Sequence, residues 1–356
     1  MARFEGALAR ASAPAAHAAL ISRICEQKSF DVAALVREGR EGTLAIPFVK
    51  QLTALVRESS AEAARHVHAG ATSQDVIDTA VVLCLKPACA RIDELAVKLG
   101  DAAAALARRH ARTPTAARTL LQPALRVTFG WKAAVWLSML ARSLTGLRHA
   151  AAGALILQFG GPSGTLSSFG ARGPEVVNIL ARELGLPASL VPWHSARDRF
   201  ARLGAELAIV TGVAGKIGRD VALLMQPEVG EAAEPAKAGR GGSSSMAHKR
   251  NPVLSMLALD AAQRAPGLAA TLLAQLTAEH ERGLGQWQSQ WFTLRELALA
   301  ASSALAAMAE ALGGLEVDEA AMLKNAQSLP QDEAGSAGAM IERALEGWST
   351  SRGTAP

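Results

Sequence analysis

Residues 205–225 read AELAIVTGVAGKIGRDVALLM, and after Glu206 no charge falls until Lys216. Apolar side chains therefore occupy most sides of a helical wheel. A helix without a clear polar face is buried among other helices or at a subunit interface. Residues 296–312, ELALAASSALAAMAEAL, have the same character, and their alanines permit close helix approach. From Arg91 to Arg112, Ile92, Leu95, Ala96, Leu99, Ala103 and Leu106 keep the three-and-four spacing of one buried stripe. No alternating run longer than a few residues marks a strand. The pattern predicts an all-α protein with a bundle of long helices at its centre.

Composition agrees. Of the 356 residues 50% are hydrophobic but only 4% aromatic, with no tyrosine, a balance that favours helix over sheet. The length allows two or three domains and ample core. A net charge of +5 and a pI near 9.4 point to an anionic partner. The cations are scattered among acids and lack an aromatic stacking ladder, so a small polyanion is expected and nucleic acid is not. Cys25, Cys84 and Cys89 form no CxxC pair and read as reduced thiols of a cytoplasmic protein. The opening MARFEGALARASAPAAHAAL has no sustained apolar segment, so no signal peptide is expected. The longest uncharged stretch, between Arg148 and Arg172, is broken by GGPSG and falls short of the roughly 18 apolar residues a membrane span needs.

Three breaks interrupt the helices, at 112–130, 158–174 and 226–252. The last is too long for an ordinary connection, and such loops are lids, binding loops or disordered. Four polar islands lie in or beside these breaks. HVHAGATSQDVIDTA (66–80) sets Thr72 and Ser73 after a Gly-containing turn, with Asp75 able to cap the following helix. It reads either as an ordinary helix start or as hydroxyls and backbone N–H groups that hold a carboxylate. His66 and His68 lack the spacing and the partners of a metal pair. In ARTLLQPALRVTFG (117–130), Arg118, Thr119 and Gln122 either face a cleft or are satisfied locally. VPWHSARDRF (191–200) reads as a surface ion-pair cluster, or as an anionic pocket around His194. In GGSSSMAHKRNPV (241–253), Lys249 and Arg250 offer charge, Asn251 an amide donor, and Ser243, Ser244 and Ser245 hydroxyls. The loop lacks the GKS/GKT of a P-loop and the GxSxG of a serine hydrolase.

GSSSMAHKRNP, Gly242 to Pro252, resembles the signature of the fumarase/aspartase superfamily. HAGATSQD at 68–75 and RTLLQPALRVTFG at 118–130 resemble its first and second regions, in the same order. With VPWHSARDR and EHERGLGQWQSQW, they are most similar to the branch of bacterial 3-carboxy-cis,cis-muconate cycloisomerases. The lyases of the superfamily carry Thr-His in the second region, whereas Leu120 follows Thr119 here. Ala247, Arg126 and Gln288 also depart from the pattern.

The resemblance implies a fumarase/aspartase-like fold with three parts: an N-terminal helical domain (1–75), a central bundle (76–312) and a shortened C-terminal segment (313–356). It implies a homotetramer whose active sites are shared between subunits, with no metal, no organic cofactor, no nucleic acid and no membrane. The substrate would be a small anionic tricarboxylate. By motif, Ser243 is the candidate proton carrier, Lys249 and Asn251 hold developing charge, and His68 and His194 are proton partners. Thr72, Ser73, Thr119, Gln122, Ser244 and Arg250 would bind substrate. An adenylosuccinate-like lyase and a non-catalytic helical scaffold are the rival readings.

Overall fold

The long apolar stretches are helices in the computed structural model, which describes residues 1–242, 246, 249–330 and 335–353. In chain order the helices begin with α1 (Ala2–Ser12), α2 (Ala15–Gln27), α3 (Val32–Glu38), α4 (Ala45–Ser59) and α5 (Ser73–Arg109). A ribbon of β1 (Pro114–Thr119) and β2 (Gln122–Thr128) follows, then α6 (Phe129–Ala154), α7 (Gly173–Leu184) and α8 (Asp198–Leu224). Next come β3 (Ala232–Ala233), α9 (Val253–Ala274), α10 (Gln286–Gly313), β4 (Glu316–Val317), α11 (Glu319–Ala326) and α12 (Ala337–Gly353). The all-α reading holds, with two small ribbons added.

The chain forms two compact units, each assembled from separated segments. Unit one comprises Met1–Pro87, Ala152–Arg199 and Gln275–Trp291; unit two comprises Ala88–Ala151, Phe200–Ala274 and Phe292–Pro356. This partition follows the returns of the chain, whereas the divisions at 75 and 312 follow its order. In unit one, α1 packs on α2 and α7. Ile21, Leu35, Phe48, Leu52 and Val56 close a core beside them. Asp31 caps α3 by accepting the Ala34 N–H at 2.9 Å.

In unit two, α8 buries Leu203, Leu207, Val210, Ala214, Ile217 and Val221, while α10 buries Leu297, Ala301, Leu305 and Met308. Other faces of α8 and α10, and one of α9, stay uncovered in a single chain, at Ile209, Leu299, Met256 and Leu273. Gly100 of α5 lies under the Trp348 ring of α12, where a Cβ would fall 2.1 Å from a ring atom. Trp348 Nε1 donates to Asp101 Oδ1 at 3.0 Å, which fixes the ring over that glycine. Among the described residues, α10 is long and apolar enough to cross a membrane by length and composition alone; 56% of its most apolar window is already buried within the chain.

One element departs from the sequence reading. Residues 112–130, expected as a break, contain an antiparallel hairpin running from Pro114↔Thr128 to Thr119↔Gln122, with a bulge between Ala116 and Arg118. Leu120 and Leu121 form its turn at φ 50° and 66°, a left-handed pair that glycine or asparagine ordinarily supplies. The hairpin escaped notice because PTAART and QPALRVT lack the alternation of a half-buried strand. Arg126 stands where the cycloisomerase branch often carries proline, and its N–H donates to Pro330 O at 2.9 Å, a bond proline cannot make.

Candidate active site

In unit one the first and third islands meet on a single carboxylate. Asp75 is fully buried near the start of α5. Its Oδ2 accepts the N–H groups of Thr72 at 3.0 Å and Gly161 at 2.9 Å. Its Oδ1 accepts Gly160 N–H at 3.0 Å and meets His194 Nε2 at 2.7 Å. Thr72 is thus the N-cap, and Asp75, three residues on, reaches back to its N–H as in one half of a capping box. A carboxylate only accepts, so His194 carries its proton on Nε2 and is held by Asp75. That imidazole is almost wholly buried. Burial makes it a strut between the island and the glycine turn at 160–161, and weighs against free exchange of protons with a ligand.

His68 is placed differently. Its backbone N–H donates to Glu5 Oε2 at 3.1 Å and its Nδ1 meets Glu5 Oε1 at 2.7 Å. The side chain stays 20% exposed. Burial alone would lower the pKa of His68, but the hydrogen bond and charge of Glu5, with the charge of Asp75, outweigh it and raise the pKa. Thr72 Oγ1 accepts from Arg282 Nη1 at 2.6 Å, which brings a guanidinium beside the helix start. Ser73 is half-buried next to it. The structure therefore gathers His68, Thr72 and Ser73 with Arg282, a residue that sequence reasoning quoted within 279–291 but gave no role.

The surface reading of VPWHSARDRF does not hold for Arg197. Arg197 is buried, with Nη1 on Asp78 Oδ2 at 2.7 Å and Nη2 on Oδ1 at 3.0 Å, its guanidinium 5.0 Å from the Trp193 ring centroid. The two charges satisfy each other, Gln290 accepts from Arg197, and the Gln74 and Gln158 amides donate to Asp78, which makes this a framework pair.

Unit two carries the second and fourth islands. Thr119 and Gln122 face each other across the hairpin turn and are exposed, and Leu120 between them is 96% exposed. Arg118 turns to the other face and grips the buried Glu231, Nη1–Oε2 at 2.9 Å and Nη2–Oε1 at 2.6 Å. Thr115 Oγ1 and Asn325 Nδ2 donate to the same carboxylate at 3.1 and 2.9 Å. Burial would raise the Glu231 pKa, but these hydrogen bonds and the Arg118 charge bring it below the usual carboxylate value. Arg118 is thus satisfied by Glu231 and at the same time lines a cavity of about 470 Å3 with Trp131 and Lys132, so both readings left open for it apply.

The signature loop is closed at its base. Asn251 N–H donates to Gly241 O at 2.8 Å. Gly241 has φ +75°, and a Cβ there would lie 2.9 Å from Asn251 O, so the closure requires glycine. Glu234, buried nearby, accepts the N–H groups of Leu254 at 3.0 Å and Ser255 at 2.7 Å and so caps α9. Lys249 is exposed, Asn251 half-buried, and both line a cavity of about 360 Å3 with Glu234, Arg240, Gly241 and Arg250. Arg250 was expected to attract substrate; its guanidinium is instead paired with both oxygens of Glu316, at 2.9 and 3.2 Å. The pair is half exposed and weakly held, so an anion can compete for Arg250. Ser243, Ser244 and Ala247 lie outside the described residues. Among the described residues, no three His, Cys, Asp or Glu side chains converge as metal ligands do.

The chain is similar to known proteins in sequence and fold. A lyase family model matches residues 9–267. A 3-carboxy-cis,cis-muconate cycloisomerase of Bradyrhizobium diazoefficiens is 50% identical over 328 residues, covering 90% of this chain and 73% of the relative. A nitrosuccinate lyase of Streptomyces davaonensis is 41% identical over 341 residues, covering 91% and 71% respectively. The crystal structure of a 3-carboxy-cis,cis-muconate lactonizing enzyme from Pseudomonas putida has a TM-score of 0.91 at 34% identity, covering 98% of this chain and 94% of that one. The chain belongs to the lyase family, within the fumarase/aspartase superfamily.

Proposed function

We propose that the protein is a cycloisomerase that converts 3-carboxy-cis,cis-muconate to 4-carboxymuconolactone. The observation that carries this reading is Leu120, aliphatic and exposed at the hairpin tip where lyases of the superfamily place a histidine. Relatives named for the cycloisomerase reaction support it. In this reaction one carboxylate oxygen adds across a double bond. Negative charge develops on the carbon next to another carboxyl, giving an enolate-like aci-carboxylate, and a proton is then delivered to that carbon. Catalysis needs one proton carrier and fixed donors aimed at the charged carboxyl.

Ser243 is the proposed carrier, assisted by Lys249 because an unaided hydroxyl is a poor base. Lys249 and Asn251 hold the developing charge, while Thr72, Ser73, Thr119, Gln122 and Ser244 bind carboxylates and Arg250 adds attraction once released from Glu316. His68 is a proton or charge partner of the substrate; His194, buried on Asp75, acts by holding the first island in shape. The active assembly is a homotetramer. Its support is the uncovered apolar faces at Ile209, Met256, Leu273 and Leu299, together with the exposed Leu120–Leu121 tip. Sedimentation of a single species at the monomer mass would defeat that part.

The deciding assay is spectrophotometric loss of the conjugated diene of 3-carboxymuconate. A folded protein with no such activity would overturn the reading. The 41% identical nitrosuccinate lyase favours a superfamily elimination as the second reading, which assays of nitrosuccinate cleavage and of fumarate release from adenylosuccinate address.

A further inference from the structure

Glu5 sits in the first helix with 1% of its surface exposed. A carboxylate so buried is costly unless its oxygens are satisfied. Its described side-chain partner is His68, which engages both oxygens, through the backbone N–H and through Nδ1. Two consequences follow from that geometry. First, a carboxylate accepts, so the proton of the 2.7 Å contact lies on Nδ1 and the tautomer is fixed. Second, His68 adopts φ 59°, a conformation a histidine seldom holds, and the bond from its N–H to Glu5 secures it. Nε2 is left with no hydrogen-bond partner among the described residues.

The charges facing the ring are of one sign. Glu5 reaches it from α1 and Asp75 from the start of α5. The nearby guanidinium of Arg282 is already engaged on Thr72 Oγ1, and His194 is held by Asp75. His66 stacks on His17 with ring centroids 5.1 Å apart, and the Met1 amino group and Cys25 lie near Glu5. We propose that Glu5 is a positioning residue that keeps His68 as an imidazolium and leaves its Nε2–H to receive a carboxylate of the substrate. The inference rests on the reading that residues 66–80 bind a tricarboxylate. It assigns to an N-terminal helix a part in the charge state of that site.

The test uses full-length protein with 13Cε1-labelled histidine, in which His68 is assigned by comparison with His68→Gln. In the parent protein His68 should titrate above the ordinary value of about 6.5. In Glu5→Gln the midpoint should fall by about one pH unit or more, the effect of removing one adjacent opposite charge. Glu5→Asp, which keeps the charge, should recover part of the shift. Calorimetric binding of propane-1,2,3-tricarboxylate should weaken as pH rises through the His68 midpoint, and the break should move with that midpoint in Glu5→Gln. The inference is overturned if His68 of the parent titrates at or below the ordinary value, a measurement that stands even if Glu5→Gln fails to fold. It is equally overturned if folded Glu5→Gln leaves titration and binding profile unmoved, or if the tricarboxylate does not bind. Loss of the functional reading looks different: the titration and binding behave as expected, yet 3-carboxymuconate is not consumed.

Discussion

Replacing Asp75 tests whether one carboxylate organises the first island. In Asp75→Ala, the N–H groups of Thr72, Gly160 and Gly161 and the Nε2–H of His194 lose their acceptor. His194 can escape by moving its proton to Nδ1, which leaves three stranded backbone donors. Each costs about 1–3 kcal/mol when buried, and water entering the vacated space recovers part of it. A loss of about 4 kcal/mol is expected. Asp75→Asn should be milder, because its carbonyl oxygen serves the Thr72–Gly161 pair while its NH2 faces Gly160 and His194. With His194 turned acceptor, only the Gly160 N–H is stranded, at about 1–3 kcal/mol. Hydrogen exchange of the Gly160 and Gly161 amides reads this locally. At about 1.4 kcal/mol per tenfold, exchange should quicken roughly 1,000-fold in Asp75→Ala and about 10- to 100-fold in Asp75→Asn. Exchange within tenfold of the parent in Asp75→Ala, or equal effects of the two variants, would refute the reasoning.

Other outcomes are expected elsewhere. Glu231→Ala strands Arg118, Thr115 and Asn325; since Arg118 is still 22% exposed, the cost lies at the lower end for a broken buried pair, about 3 kcal/mol. Urea denaturation should show the Arg118→Met/Glu231→Leu double variant more stable than that single one. Gly100→Ala, ordinarily worth about 1 kcal/mol to a helix, should destabilise here because its methyl meets the Trp348 ring, and Trp348 fluorescence should shift towards that of exposed indole. Ser243→Ala should leave a folded oligomer and lower diene turnover by about 100-fold or more, and Lys249→Met should impair both kcat and KM; unchanged steady-state profiles would count against each role. The pH dependence has two opposed limbs. The depressed pKa of Glu231 gives stability present above about 4.3 and lost as pH falls through the folded-state value. The raised pKa of His68 gives stability present below about 6.5 and lost as pH rises through its folded-state value. Thermal melts of Glu231→Gln and His68→Gln against pH should each flatten one limb.

The helices were legible because their apolar spacing is a local property, visible in 91–112 and 205–225 without any partner. The signature loop was legible for a similar reason, its chemistry being concentrated in eleven consecutive residues from Gly242 to Pro252. The ribbon at 114–128 was not, because its order comes from Glu231 and α11 and not from its own pattern. Asp75 was legible as a cap, but its other donors lie 85, 86 and 119 residues away, beyond any periodicity. Glu5 did leave a trace. It shares a helical face with Leu8 and Ala9, both buried, and an acid on such a face asks for a partner. Arg250 shows the converse: its charge was plain in the sequence, and its pairing with Glu316 was not.

The discontinuity of unit one sets a timetable for the newborn chain. The core residues among Ala9 to Ala64 leave the ribosome early and can pack by themselves. Asp75 must wait for His194, 119 residues later, which at about 5–20 residues per second takes roughly 6–24 s. Arg197 must then wait a further 93 residues for Gln290. During that interval the carboxylate and the guanidinium stay hydrated by solvent. A ribosome stalled before residue 194 would therefore display a packed N-terminal helical cluster and an unassembled first island. Staged pulse-proteolysis of such stalled chains would separate the two events.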